Sequence, residues 1–118
     1  MKVHTQRIGD VIVAQLAGEI DTMDSDGLGE ALAEIVAAQP AGLVLDFAQV
    51  TYIASVGLSL LLKLAQDMRK AKGKLVIAAV APAVKTVLDT VHLGAAIPIE
   101  TTVDAALGRM AVKAAASV

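Results

Sequence analysis

Short extended apolar stretches alternate with segments of helical spacing along the chain. Residues 2–7 and 11–17 read as two strands around the turn residues Ile8, Gly9 and Asp10, which predicts an antiparallel hairpin with the first strand at a sheet edge. Leu28, Ala31, Leu32, Ile35 and Val36 then recur at the spacing of one helical face, and Gln39-Pro40 closes that segment. Gly27 and Gly29 inside it each cost about 1 kcal/mol relative to Ala, so its first turns are weak. Residues 43–47, interrupted only by Asp46, have the pattern of a central strand covered on both faces, and residues 75–80 form a second such run. Between them, residues 55–72 predict a helix with Leu58, Leu61, Leu62, Ala65 and Met68 on one face and Gly73 at its end. Leu60 and Leu64 widen the apolar sector beyond one packing face, which points to the sheet's flank or to a partner. Val84, Val87, Leu88 and Val91 mark a third helix, opened by Pro82 and closed by Leu93-Gly94. Residues 97–99 read as a short edge strand carrying Pro98, and Val103, Leu107, Met110, Ala111 and Ala114 as a last helix whose end, residues 114–118, frays.

Strands alternating with helices require right-handed crossovers, which place the later strands parallel in one sheet. The expectation is an α/β fold: one domain over residues 1–118, a mixed, mostly parallel sheet that starts with an antiparallel hairpin, and four helices. Periodicity leaves open whether the helices cover one face or both.

Composition narrows the function. Hydrophobic residues make up 56% of the chain, yet Phe47 and Tyr52 are its only aromatics, so the core is built from Ala, Val, Leu and Ile and no base-stacking platform exists. Ten Lys and Arg against twelve Asp and Glu give a net charge of -2, without the basic excess that nucleic acid binding requires. No cysteine is present, which removes disulfides, thiolate metal sites and a Cys nucleophile, and fits a reducing cytoplasm. Lys2, Arg7 and Asp10 leave no apolar signal region at the start. The longest uncharged run, residues 47–62, falls short of the roughly 18 to 20 residues that span a bilayer, so a soluble cytoplasmic protein without a membrane span is expected. Charge is divided unevenly. Residues 1–59 hold eight acids and two bases, a net of -6, whereas residues 60–118 hold four acids and eight bases, a net of +4. Glu19, Asp21, Asp24 and Asp26 concentrate the acid; they complement a helix start or form a recognition patch.

Loops that follow parallel strands share one end of the sheet, where ligands and partners gather. That rule places the loop Gly18-Glu19-Ile20-Asp21 beside the loop from Phe47 to Ser55, and predicts a site of Ser55 flanked by Glu19, Asp21 and Asp24. Ser55 admits two readings, an N-cap that accepts a backbone N–H, or a phosphoserine whose charge suits a helix N-terminus. Gly57 permits close approach of another backbone, in a docking surface or in internal packing. Enzymatic constellations are poor: His4 falls on the edge strand, His92 at a helix end, and no G-x-S-x-G elbow or glycine-rich nucleotide fingerprint occurs. Asp24-Ser25-Asp26-Gly27 lacks the distal Glu of a calcium loop. Neither catalysis, metal nor cofactor is expected.

The stretch Leu45-Asp46-Phe47-Ala48-Gln49-Val50-Thr51-Tyr52-Ile53-Ala54-Ser55-Val56-Gly57-Leu58 resembles the signature of STAS domains of the anti-sigma factor antagonist type, D-[LF]-x-x-[VL]-x-[FY]-[IM]-[DA]-S-x-G-[LI]. Gly18-Glu19-Ile20-Asp21 resembles their G-E-[LI]-D turn, and Ala81-Pro82-Ala83-Val84-Lys85 the opening of their third helix. The resemblance implies a binding protein: the unphosphorylated antagonist, monomeric when free, captures an anti-sigma factor and releases the sigma factor. The anti-sigma factor is often a serine protein kinase; its target aligns with Ser55, and a serine phosphatase restores the active form. Many members carry Asp before that serine and Ser or Thr after it, where this chain has Ala54 and Val56. The partner surface then comprises Glu19, Asp21, Asp24, Ala54, Val56, Gly57, Leu60 and Leu64 around Ser55. Two other readings stay open. One is a STAS module of a stress-signalling scaffold or lipid-transport assembly that binds without phosphorylation. The other is a phosphoacceptor receiver domain using Asp46, which lacks that family's acid pair and lysine.

Overall fold

Strand β1 (Lys2–Ile8) folds back on β2 (Val11–Ile20) in continuous antiparallel register from Lys2 opposite Ala17 to Ile8 opposite Val11. Gly9, at φ 60°, supplies the turn. The computed structural model describes residues 2–21 and 25–110, so the expectations at Asp24, Ala111, Ala114 and the fraying tail lie outside the described residues. Strands β3 (Gly42–Ile53), β4 (Lys74–Ala78) and β5 (Ile99–Glu100) continue the sheet in parallel, and its spatial order β1-β2-β3-β4-β5 follows the chain. The helices are α1 (Ser25–Ala37), α2 (Ser55–Lys70), α3 (Pro82–Thr90), followed by a 3₁₀ turn at Leu93–Ala95, and α4 (Val103–Arg109). The α/β fold with an antiparallel hairpin, a parallel remainder and four helices is as expected.

Both sheet faces are covered, unequally. Leu16, Ile20, Leu45, Phe47 and Ile77 pack with Leu32 and Ile35 of α1, Leu61 and Met68 of α2, and Val84 and Leu88 of α3 in one large core. Val11, Val13, Val44 and Val76 form a smaller core under Ala106 and Met110, at α4 and its end. Consecutive β3 residues Leu43, Val44 and Leu45 are all fully buried because the two layers take alternate side chains.

Two strands run further than their patterns indicate. The segments 18–21 and beyond Phe47 were expected as loops; instead β2 continues to Ile20 and β3 to Ile53. The reason is a pair of bulges. Between Gln15 opposite Asp46 and Ala17 opposite Gln49, β3 carries one extra residue, and it carries another between Gly18 opposite Val50 and Glu19 opposite Tyr52. Asp46 accepts a hydrogen bond from the Ala48 N–H at 2.9 Å in the first, and Gly18 adopts φ 111° at the second. Each extra residue turns the strand, so that Phe47, Val50 and Ile53 all face the core while Ala48, Gln49, Thr51 and Tyr52 are exposed. A period of three resembles neither strand nor helix. Smaller corrections are that Ile97 is buried but precedes β5, that β4 stops at Ala78, and that Val91 is exposed beyond α3.

Helix α2 is rotated from its expected orientation. Its buried residues are Gly57, Leu61, Leu64 and Met68, whereas Leu62 is 43% exposed. Leu64, assigned above to a partner surface, is 3% exposed and belongs to the core. The apolar sector is wide enough to fit several rotations, and close packing of the first turn selects this one. At the far end Lys72, at φ 62°, takes the left-handed position that follows the helix; its N–H donates to Arg69 O at 3.0 Å and the Gly73 N–H to Met68 O at 2.8 Å. Leu64→Ala should cost about 2 to 5 kcal/mol of stability and Leu62→Ala less than about 0.5 kcal/mol, as read from urea unfolding of both variants; equal losses would contradict the observed rotation.

Candidate functional site

The ends of β2 and β3 bring the candidate residues together. Glu19 lies opposite Tyr52 and Ile20 opposite Ile53, and the Ala54 N–H donates to Ile20 O at 2.8 Å, one step beyond the last strand pair. Asp21 and Ser55 are therefore the next residues along two adjacent, tied strand ends. Helix α2 starts at once, with its first turn pressed down on those ends: a Cβ at Gly57 would come within 2.5 Å of Ile20 Cγ2 and 2.8 Å of Ile53 Cγ1. Gly57 is thus buried by its own domain rather than offered to a partner, a correction to its place on the expected surface.

Ser55 is not the N-cap that its residue type suggests. Ala54, at φ -92° and ψ 171°, holds the cap position, and Ser55 is the first helical residue, with an exposed side chain. Ala54 has no side-chain oxygen for the orphan N–H groups of the first turn, although its carbonyl accepts from the Gly57 N–H at 2.9 Å. Helix α3 also starts from an alanine cap, Ala81, and α4 from a threonine. Thr102 accepts from the Ala105 N–H at 3.0 Å at the start of α4, and Pro82 removes one donor at the start of α3. The α2 N-terminus combines backbone donors, the positive end of a 16-residue helix dipole and an exposed hydroxyl.

Around it, Glu19 is exposed, Asp21, Ala54 and Val56 are half-buried, and Leu60 is half-buried on the flank towards α1, where a Cβ at Gly29 would lie 3.6 Å from Leu60 Cδ2. Tyr52, 51% exposed and paired with Glu19, joins this surface without having been singled out. Its signal was available: it is one of only two aromatics, placed three residues before Ser55. Other candidates lie apart. His4 sits in β1 opposite Gln15, and His92 follows α3 at φ 56°. The phosphoacceptor reading needs Asp46 at a strand end, but it lies in the middle of β3 with its carboxylate on the Ala48 N–H. Among the described residues no cluster of three His, Cys, Asp or Glu could hold a metal, and no helix is long and apolar enough to cross a membrane.

Residues 2–106 match the STAS domain family model, and the chain belongs to the STAS domain family. It is similar over 106 residues, at 28% identity, to the anti-sigma factor antagonist BtrV of Bordetella bronchiseptica, covering 90% of this chain and 91% of that one. A 51-residue stretch is 43% identical to the anti-sigma-F factor antagonist RsfB of Mycobacterium tuberculosis, covering 43% of this chain and 42% of RsfB. A crystal structure of an anti-sigma factor antagonist from Mycobacterium paratuberculosis superposes with a TM-score of 0.86 at 28% identity, over 92% of both chains.

The geometry generates two stability tests. Gly57→Ala should lose about 1 to 3 kcal/mol because the added methyl has no room, while Gly29→Ala, whose methyl would make only ordinary contact, should gain about 0.5 to 1 kcal/mol from helix propensity. Ala54→Ser places an oxygen at a cap position already in extended conformation and should add about 1 kcal/mol, seen as a raised melting temperature.

Proposed function

We propose that this protein is an anti-sigma factor antagonist of the cytoplasm that binds an anti-sigma factor through the surface around the α2 N-terminus and is switched off by phosphorylation of Ser55. The observation that carries the switch is the position of Ser55: exposed, first in a helix whose cap residue has no side-chain oxygen, and beside the strand end bearing Glu19 and Asp21. The binding role is supported by the similarity to BtrV along nearly all of both chains. The modifying enzyme is a serine protein kinase, which the anti-sigma factor itself can be, and a serine phosphatase reverses the step.

A phosphate on Ser55 adds a charge of about -1.5 to -2 and three acceptor oxygens. In the free protein it is held by helix N–H groups and the dipole, so the domain stays folded. In the complex it has to be desolvated next to Glu19 and Asp21, or to displace a partner fitted to a hydroxyl. An uncompensated interfacial charge costs on the order of 2 to 5 kcal/mol, equal to a loss of roughly 30-fold to several thousand-fold in affinity.

The partner is to be captured from the source cell and identified by mass spectrometry, and its affinity measured for wild type, Ser55→Asp and Ser55→Ala beside a melting curve of each. Ser55→Asp should bind more weakly while melting like wild type, and Ser55→Ala should bind but gain no mass on incubation with ATP and the kinase. Wild-type affinity in a folded Ser55→Asp overturns the switch, and an unmodified Ser55 in a protein that still binds favours the module that works without phosphorylation.

A further inference from the structure

At the opposite end of α2, about 24 Å from Ser55 by helix rise, a cavity of about 590 Å³ opens between the helix end and the beginning of β4. Arg69, Lys72, Lys74 and Arg109 line it together with the accessible apolar side chains of Ala65, Ala96 and Pro98, and no carboxylate is among its lining residues. Arg109 is held by Glu100 at 3.1 Å. The other three cations form no salt bridge among the described residues, although exposed Lys63 and Lys85 each have one. Basic side chains in the last turn complement the helix dipole. That accounts for Arg69 and Lys70, but Lys74 opens a strand and Arg109 arrives from α4 on the other face of the sheet. Three separate elements thus deliver cations to one concavity.

We propose that this groove binds a small phosphate ester with an apolar body. Its volume falls within the range of small-molecule sites, roughly 300 to 1,000 Å³. A phosphate dianion offers three acceptors at one point and can be shared by an arginine fork and two lysines. The ester's apolar part then lies on Ala96 and Pro98, which a bare inorganic anion leaves uncovered. The site is independent of Ser55 and of the anti-sigma factor reading, since it uses neither that residue nor the surface around it.

The test is a titration of the ¹⁵N-labelled full chain with 1-naphthyl phosphate, with 1-naphthalenemethanol and inorganic phosphate as arms lacking the charge or the apolar body. The ester should give saturable shifts at Met68, Lys72, Gly73, Lys74 and Leu75, and each control should bind at least about tenfold more weakly. Lys72→Gly removes a cation at a left-handed position that glycine occupies without strain. This variant should therefore melt no lower than wild type while losing about tenfold or more in affinity. Lys74→Gln, at an exposed strand start, should lose affinity similarly. Co-sedimentation with phosphatidylglycerol vesicles, if lost in the same two variants, identifies a lipid headgroup as the source of the ester; its absence leaves a soluble one. No saturable shift up to about 10 mM ester, shifts confined to other residues, or equal affinity in the folded variants overturns the proposal.

Discussion

The contact on which the domain depends is the seating of the first turn of α2 on the ends of β2 and β3. Gly57 lets the helix come within a methyl's width of Ile20 and Ile53, and the Ala54 N–H ties the same corner to Ile20 O. Interiors at crystalline packing density transmit such a constraint along a rigid element. Once the first turn is fixed, the helix can present only one stripe to the sheet, and Leu61, Leu64 and Met68 follow at the spacing that Gly57 begins. The same contact sets Ser55 at the rim, two residues from the buried glycine and facing water. Core and recognition surface are thus two sides of one helix turn.

Much of this was legible in the chain. Alternation of strand and helix, the hairpin around Gly9, the end of α1 and the start of α3 follow from local propensity, which tertiary packing did not override. The proximity of Glu19, Asp21 and Ser55 followed from the rule that parallel strands share an end. What stayed hidden has specific causes. The second half of β3 was missed because its bulges replace a two-residue period by three, so Phe47, Val50 and Ile53 look unpatterned. The roles of Leu62 and Leu64 were exchanged because five leucines and an alanine crowd one helix, and hydrophobicity alone cannot choose among rotations. Of the two readings of Ser55, the cap rested on serine being a favoured cap residue, whereas the hydrogen bond from Ala54 to β2 moves the cap one position earlier.

Helix α2 also organises the charge. Its positive end meets the strand ends that carry Glu19 and Asp21, and its negative end carries Arg69 and Lys70 and is followed by Lys72 and Lys74. The uneven distribution along the chain becomes a distribution in space because β2, β3 and β4 all run the same way. A domain with a net charge of only -2 thereby has two electrically distinct poles, and a charged partner is oriented before it makes contact.

The pairing of sheet order with chain order bears on how the protein is made. Each strand adds to one already synthesised, so the sheet can grow from the hairpin outward without waiting for a distant segment. Its first face is covered as it forms, since α1, α2 and α3 are interleaved with the strands along the chain and join the same core. The second face has no such escort: Val11, Val13, Val44 and Val76 remain bare until α4, the last described element, arrives. A chain still under synthesis therefore carries a flat aliphatic surface beside unpaired strand edges, the combination that neighbouring nascent chains stick to. Among the described residues, the cover that keeps newly made copies apart comes from α4 and Met110, the last to be synthesised.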